Sequence, residues 1–160
     1  MLEIALTFAL MSEIKEQGGF KFKTNEEGRM MIFDDIRNKF LVNTPEEWVR
    51  QNTVKYFREE LGFPKSIIAL EKSFKLHRRT KRTDIVVYDN EGKAMILIEC
   101  KRPSIKITQS TFDQAFRYNI ILKVPYLVIT NGEELYCCHV DGEQVTFIEN
   151  IPTYEDLKNE

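Results

Sequence analysis

The sequence has few cysteines, and none lies in a pattern that would cross-link the chain or bind zinc. Its 160 residues include three, Cys100, Cys137 and Cys138, the last two adjacent. An odd number with this spacing fits neither a disulfide framework nor a CxxC pair, so we expect reduced thiols in the core. The two histidines, His77 and His139, also lack metal-ligand spacing. A disulfide-stapled domain and a zinc finger are therefore excluded.

Long hydrophobic runs are also missing. The longest apolar stretch, residues 4–11, is interrupted by Thr7 and is far shorter than the ~20 residues that cross a bilayer. A secretory signal begins with a basic region, whereas no Lys or Arg precedes Lys15. We therefore expect a cytoplasmic protein without a membrane segment.

Glycine and proline are sparse, at seven and five residues, whereas 42% of the chain is hydrophobic and 11% is aromatic. This composition excludes collagen-like and low-complexity chains, and the length fits one cored domain. The net charge of −2 conceals an uneven distribution, because residues 72–106 carry +6 and the remainder −8. A local positive excess attracts phosphates. A solvated basic loop, above all over residues 77–81, is the alternative interpretation.

Hydrophobic periodicity divides the chain into an arm (1–19), a domain (20–150) and a C-terminal tail (151–160). A β-hairpin over residues 20–33 opens the domain, and Thr44-Pro45 signals a helix that extends to Leu61. The other predicted elements are strands over 67–70, 84–89 and 94–100, a helix over 108–122, and strands over 126–130, 135–140 and 145–148. This order predicts an α/β fold, with an N-terminal β-hairpin and a mixed central β-sheet flanked by helices.

Two of the predicted strands bring acidic residues together at one end of the sheet. The strands flank the turn over residues 90–93, and symmetric pairing about that turn places Asp84 directly opposite Glu99. Like charges at roughly 4.5–5.5 Å destabilise a sheet, so a cation should hold them. Strand alternation places Met95 and Lys101 on the same face as these carboxylates.

Two carboxylates and a lysine suit divalent-cation chemistry. Oxygen ligands with open positions favour Mg²⁺ or Mn²⁺, so Asp84 and Glu99 are the predicted metal ligands. Such an ion can polarise a phosphodiester and lower the pKa of an attacking water. Lys101 would then stabilise charge on the phosphate, or orient and deprotonate the water. In the alternative interpretation, Asp84 merely starts a strand, and Glu99 and Lys101 form a surface salt bridge.

Five separated motifs together resemble the amino-terminal nuclease domain of type I restriction enzyme R subunits, in the PD-(D/E)xK nuclease superfamily. In chain order the motifs occupy residues 45–51, 81–88, 98–103, 114–119 and 130–132. The resemblance covers about residues 20–150 and implies a restriction-endonuclease-like core. It further implies a Mg²⁺-dependent deoxyribonuclease in which Asp84, Glu99 and Lys101 are catalytic.

The same resemblance implies supporting residues. Gln114 and Tyr118 match a QxxxY motif that supports the site or contacts DNA, and they lie one helical turn apart. A further acid is expected from the first helix. Glu47 is the candidate and Glu60 a competitor, and a solvated capping position is the alternative for either. The predicted nucleic-acid contacts are Arg82 and Arg102, which flank Asp84 and Lys101, together with Arg79 and Lys81.

Two features depart from the pattern of that family. Thr83, not Pro, precedes Asp84, and no G-x-x-x-x-G-K-[ST] loop is present for ATP-driven translocation. The implied partners are therefore DNA and the translocase, methylase or specificity subunits of a restriction system. Two other functions stay open at this stage: a nuclease-fold DNA-binding or assembly module inactive without partner subunits, and a small α/β scaffold with no nucleic-acid role.

Overall fold

The computed structural model describes residues 14–159, and its N-terminal part is an antiparallel meander. The strands, which pair in chain order, are β1 (Lys15–Gln17), β2 (Phe20–Thr24), β3 (Met30–Asp34) and β4 (Lys39–Val42). The pairing of Thr24 with Met30 confirms the predicted hairpin, which β1 and β4 extend on either side. Strand β1 falls within the predicted arm, whose residues 1–13 lie outside the described residues.

Helix α1 (Pro45–Glu59) begins where the sequence predicts. The Thr44 hydroxyl accepts a hydrogen bond from the Glu47 N–H at 3.1 Å, and Pro45 occupies a first-turn position that needs no N–H donor. The helix ends two residues before the predicted limit. Its buried face includes Val49, Val54 and Phe57, which pack against the central sheet.

The central sheet has six strands: β5 (Ile68–Leu70), β8 (Ile85–Tyr88), β9 (Ala94–Cys100), β10 (Tyr126–Thr130), β11 (Leu135–Asp141) and β12 (Gln144–Ile148). A 3₁₀ turn (Lys65–Ile67) directly precedes β5. Their spatial order is β12-β11-β10-β9-β8-β5. Strands β9 and β10 are parallel and are connected through helix α2 (Gln109–Leu122), whereas the other pairs are antiparallel. The predicted mixed α/β architecture is confirmed.

Both faces of this sheet are covered. Ile85 and Ile98 pack in the cluster that includes α1, whereas Val86 and Leu97 pack in a second cluster with Tyr118 of α2. Met95 was predicted on the Leu97 face, but it belongs to the α1 cluster. An irregularity in the β8–β9 register, after the Val87–Ile96 pair, accounts for this difference, because one extra residue reverses the alternation.

Two further elements were not predicted. Strands β6 (Ser73–Leu76) and β7 (Arg79–Arg82) form a two-stranded hairpin separate from both larger sheets. The predicted tail contains a short helix, α3 (Tyr154–Lys158), and Ile151 ahead of it is buried in the α1 cluster. No helix within residues 14–159 is both long and apolar enough to cross a membrane.

Candidate active site

The register of β8 and β9 brings Asp84 and Glu99 to the same end of the central sheet. Ile85 pairs with Ile98 and Val86 with Leu97, as the symmetric hairpin predicts. Asp84 immediately precedes β8, so it lies opposite Glu99 when the same register is extended by one residue. The hairpin prediction thus places the two carboxylates correctly, although the turn itself closes asymmetrically, with Tyr88 paired to Ala94.

The Asp84 carboxylate is held by one backbone donor and one cation. Its Oδ2 accepts from the N–H of Cys100 at 2.8 Å, and its Oδ1 accepts from Arg50 Nη2, also at 2.8 Å. Arg50 extends from the first half of α1 and is nearly fully buried. The expected cation is therefore present, but the sequence did not identify Arg50 as the residue that supplies it.

Glu99 is buried, and only one of its two carboxylate oxygens has a hydrogen-bond partner among the described residues. Its Oε1 accepts from Lys101 Nζ at 3.1 Å, whereas its Oε2 is buried and has no hydrogen-bond partner within residues 14–159. Burial, and then the neighbouring charge of Asp84, raise the pKa of Glu99 to about 7, although Lys101 acts in the opposite direction. The side chain of Glu99 is only 8% exposed, so its pair with Lys101 is not a surface salt bridge.

Lys101 stays cationic at this position. Burial alone would lower its pKa, but the charge and hydrogen bond of Glu99, supported by Asp84, raise it above the ordinary value. The Lys101 N–H also donates to the carbonyl of Thr130 at 2.8 Å, just beyond β9. This bond continues the β9–β10 pairing and fixes the backbone from which the Lys101 side chain extends.

The Thr130-Asn131-Gly132 motif shapes the same end of the sheet. Asn131 is buried, and its Nδ2 donates to the carbonyl of Ile105 at 2.9 Å, which ties the loop after Lys101 to the end of β10. Gly132 has φ +88°, and a Cβ at this position would lie 3.2 Å from Val49 Cγ2. A side chain there would therefore strain the backbone and crowd α1.

Glu47 is a buried member of the site and not a solvated cap. Its carboxylate forms an ion pair with Arg50, and its Oε1 accepts from Gln51 Nε2 at 2.8 Å and from Arg37 Nη2 at 3.1 Å. Arg50 therefore connects Glu47 directly to Asp84. The competitor Glu60 lies exposed at the opposite end of α1, where it is the C-cap residue. The solvated alternative is wrong for Glu47, because burial and three partners replace water around it.

Arg37 and Glu71 complete an ionic network that sequence reasoning missed. Arg37 pairs with Asp34, with Glu47 and with Glu71, and the other Glu71 oxygen lies 3.9 Å from Arg50 Nη1. The spacing of Glu47 and Arg50, three positions apart on one helix, was a usable signal for that pair. No comparable local signal links residues 34 positions apart, such as Arg37 and Glu71.

The predicted supporting residues lie on α2, and the predicted DNA-contacting residues lie on β7 and just after β9. Gln114 Nε2 donates to the Tyr118 hydroxyl at 2.9 Å, so the QxxxY pair is joined within α2. Arg82 is exposed at the end of β7, 3.9 Å from Glu71, and Arg102 is exposed directly after Lys101. The two other predicted contacts, Arg79 and Lys81, lie on β7 on the side of the hairpin that faces α2.

A divalent cation at this centre would depend on few protein ligands. The residues that the structure describes contain no cluster of three or more His, Cys, Asp or Glu side chains arranged to hold a metal. Two carboxylates do converge, however, and Glu99 Oε2 is a buried acceptor without a donor. Mg²⁺ is commonly held by one or two carboxylates, with water and phosphate as its other ligands. The donor set therefore fits such an ion, with Asp84 and Glu99 as the residues that would hold it.

Comparisons with known proteins agree with this architecture. Residues 45–152 match the family described as type I restriction enzyme R protein N terminus (HSDR_N), a span that includes α1 and the whole central sheet. No curated protein matches the chain.

A fragment described as an HsdR subunit of a type I restriction enzyme from Vibrio vulnificus YJ016 shares the fold, with a TM-score of 0.51 and 20% sequence identity. The likeness covers 66% of this chain and 23% of that one, so the chain spans about a quarter of the solved fragment. Because the family match extends over more than half of its residues, this chain belongs to the family of type I restriction enzyme R protein N-terminal domains.

Proposed function

We propose that this chain is a metal-dependent DNA endonuclease domain with a restriction-endonuclease-like core. One observation carries the proposal. Asp84 lies directly before the start of β8, beside Glu99 near the end of β9, and Lys101 directly follows β9. Lys101 pairs with one Glu99 oxygen, and the other Glu99 oxygen is buried with no donor within residues 14–159. A buried, unpaired carboxylate oxygen is costly, and a cation at this position would satisfy it.

Asp84, Glu99 and Lys101 have separate roles in the proposed hydrolysis. Asp84 and Glu99 would hold a Mg²⁺ or Mn²⁺ ion, which when bound would supply polarisation of the phosphodiester and a lowered pKa of the attacking water. Lys101 would place its ammonium group where negative charge develops on the phosphate. Hydrolysis forms one bond from the water oxygen to phosphorus and breaks one bond from phosphorus to a sugar oxygen, which leaves with a proton.

Arg50 and Glu47 act as positioning residues. The Arg50 guanidinium holds Asp84 through Oδ1, while the Cys100 N–H holds the other oxygen, so the carboxylate has a single orientation. Glu47 in turn fixes Arg50 from within α1. Arg82 and Arg102 are exposed and lie within two residues of Asp84 and Lys101 in the chain, so they would supply cations for the phosphates that flank the scissile one. The translocase, methylase or specificity subunits of a restriction system are the proposed protein partners.

Cleavage of plasmid and linear DNA in Mg²⁺ or Mn²⁺ tests the proposal. We expect the wild-type chain to cut, and Asp84→Asn and Lys101→Met to lose at least a hundredfold in rate. Lys39→Met, on the exposed edge of β4, is the matched control and should cut like the wild type. Thermal melting of each variant verifies folding. Equal cleavage by the wild-type, Asp84→Asn and Lys101→Met proteins would show a contaminating nuclease and overturn the proposal.

A second function is favoured by the Arg50–Asp84 pair. Because Arg50 already neutralises one of the two carboxylates, the chain alone would bind DNA as an assembly module and cut only when partner subunits reposition Arg50. Salt-dependent DNA binding without metal-dependent cleavage, in a folded wild-type protein, would support this alternative. Metal-dependent cleavage by the isolated chain would exclude it.

A further inference from the structure

The β6–β7 hairpin carries an unusually one-sided charge. Residues 72–82 contain six Lys or Arg side chains and no acid. The hairpin belongs to neither larger sheet, so packing of a hydrophobic core does not explain its composition. Within residues 14–159, the only ion pair that any of these six cations forms is the 3.9 Å contact from Arg82 to Glu71. The positive charge of the hairpin is therefore almost entirely uncompensated.

Strand pairing sorts these cations between the two faces of the hairpin. Phe74 pairs with Lys81 and Leu76 with Arg79, so Lys81 and Arg79 share the face of Phe74. The Phe74 ring packs edge-on against Tyr118 of α2, with centroids 5.6 Å apart. This contact turns the face that bears Lys81 and Arg79 towards α2.

A cleft of about 540 Å³ lies between the hairpin and α2. Its lining consists of basic side chains from both elements: His77, Arg78, Arg79, Lys81 and Arg117. No acidic residue is among those lining it, and Arg117 and Arg79 are exposed. Cations that converge from two separate elements with no carboxylate between them would repel one another unless an anion occupies the space.

The cleft is connected to the candidate active site by both packing and covalent structure. Phe74 and Tyr118 pack in the same cluster as Leu97, and Leu97 and Glu99 alternate onto the same face of β9. The end of the hairpin leads through Thr83 directly to Asp84. Thr83 is fully buried, and both its N–H and its hydroxyl donate to the carbonyl of Lys72, at 3.0 and 3.1 Å. These bonds close the base of the hairpin next to the acidic centre.

From this arrangement we infer that the cleft binds the sugar–phosphate backbone of DNA, with Arg117 on α2 and Arg79 and Lys81 on β7 as its phosphate contacts. Arg117 is a binding residue that sequence reasoning did not identify. The Gln114–Tyr118 pair gains a role as a positioning element, because Tyr118 is the surface on which Phe74 fixes the hairpin. The inference rests on the proposed function and names the part of the molecule that holds the substrate away from the scissile bond.

Fluorescence anisotropy with a labelled DNA duplex, measured in EDTA over a series of salt concentrations, tests the inference. The Arg79→Gln/Arg117→Gln variant removes two cleft cations, and Lys15→Gln/Lys39→Gln removes two exposed cations from the meander. Each lost phosphate contact lowers the salt slope of log K by about 1 and weakens binding about tenfold at 0.1 M salt. The cleft variant loses two contacts, so we expect its salt slope to fall by about 2 and its affinity by about a hundredfold, with neither change in the meander variant. Arg79→Lys/Arg117→Lys should retain most of the slope, since it keeps both charges.

The outcomes separate this inference from the proposed function. Binding by the cleft variant that equals the wild type, equal losses in the two double variants, or no binding by wild-type protein would each overturn the inference. Because no metal is present, a chain that binds through the cleft but never cuts DNA supports the cleft and contradicts the endonuclease proposal. If the wild-type chain cuts DNA but the cleft variant keeps the wild-type salt slope, the endonuclease proposal is supported and the cleft inference is contradicted.

Discussion

Arg50 and Asp84 form the ion pair that joins helix α1 to the central sheet, with Nη2 at 2.8 Å from Oδ1. Both side chains are largely buried, and Glu47 pairs with the same guanidinium. Burial would lower the pKa of Arg50, but Asp84 and Glu47 raise it above its ordinary value. Arg50 is therefore a permanent cation around which two carboxylates are arranged, and its removal should affect folding as well as activity.

We predict that Arg50→Met lowers the free energy of unfolding by about 3–5 kcal/mol, because the substitution leaves Asp84 and Glu47 buried without their shared cation. Arg58→Met is the matched control. It breaks the Arg58–Asp35 pair at 2.6 Å, but both side chains are more than one-third exposed, so the expected loss is about 0–1 kcal/mol. Denaturant titration measures both values. Similar losses in the two variants would contradict a special role for Arg50.

The pKa of Glu99 predicts a dependence of stability on pH. Burial, and then Asp84, raise that pKa from 4.5 to about 7, so between these values the folded chain retains a proton that the unfolded chain releases. The Glu99 contribution to stability is therefore fully present below pH 4.5 and is lost as the pH rises towards 7. Relative to Glu99→Gln, the wild-type free energy of unfolding should fall across this window, by up to about 3 kcal/mol. Denaturant titrations in EDTA at several pH values measure the difference, and a constant difference would contradict the assignment.

The donor set also predicts stabilisation by divalent ions. An ion that binds only the folded state raises the free energy of unfolding by about 2.7 kcal/mol at a hundred times its dissociation constant. We expect Mn²⁺ to raise the melting temperature of the wild type in a concentration-dependent manner, and to raise it much less in Asp84→Asn or Glu99→Gln. Ca²⁺-free buffers at constant ionic strength remove general salt effects. A shift of equal size in all three proteins would place the ion elsewhere.

The sequence predicts most of the central domain because its signals there are local. Thr44 and Pro45 mark the start of α1. Symmetric pairing about residues 90–93 predicts the Ile85–Ile98 pair correctly, but the turn itself closes one residue out of that register, with Tyr88 opposite Ala94. The bulge between these two pairs restores the predicted register and so brings Asp84 opposite Glu99. The bulge that moves Met95 to the α1 cluster could not be predicted, because no residue type requires a bulge at that position.

The missed features depend on contacts between distant parts of the chain. Arg37 and Glu71 meet across 34 positions, and nothing in the neighbouring sequence of either residue indicates a partner. The β6–β7 hairpin could not be predicted from the sequence for a different reason. Its residues are mostly basic, so they lack the apolar alternation by which strands are recognised, and Phe74 packs it against Tyr118. The local charge drew attention to this region, whereas periodicity could not assign its structure.

Thr83 stands immediately before Asp84, where the PD-(D/E)xK pattern would have proline, and the structure supplies a reason for Thr at this position. Its N–H donates to the carbonyl of Lys72 at 3.0 Å, a bond that proline cannot make, and its hydroxyl donates to the same oxygen at 3.1 Å. We therefore predict that Thr83→Pro opens the base of the basic hairpin and lowers the salt slope of DNA binding by about 1–2, since the phosphate contacts of β7 lose their support.

The matched control is Thr83→Val, which keeps the N–H and the side-chain shape. The Lys72 carbonyl retains one donor in this variant, so we expect a stability cost of about 1 kcal/mol and an unchanged salt slope. Anisotropy titrations and thermal melting measure the two effects separately. A Thr83→Pro protein that is folded and binds DNA with the wild-type slope would show that the hairpin does not depend on the Lys72–Thr83 closure. In that case the Phe74–Tyr118 contact would be sufficient to hold the cleft.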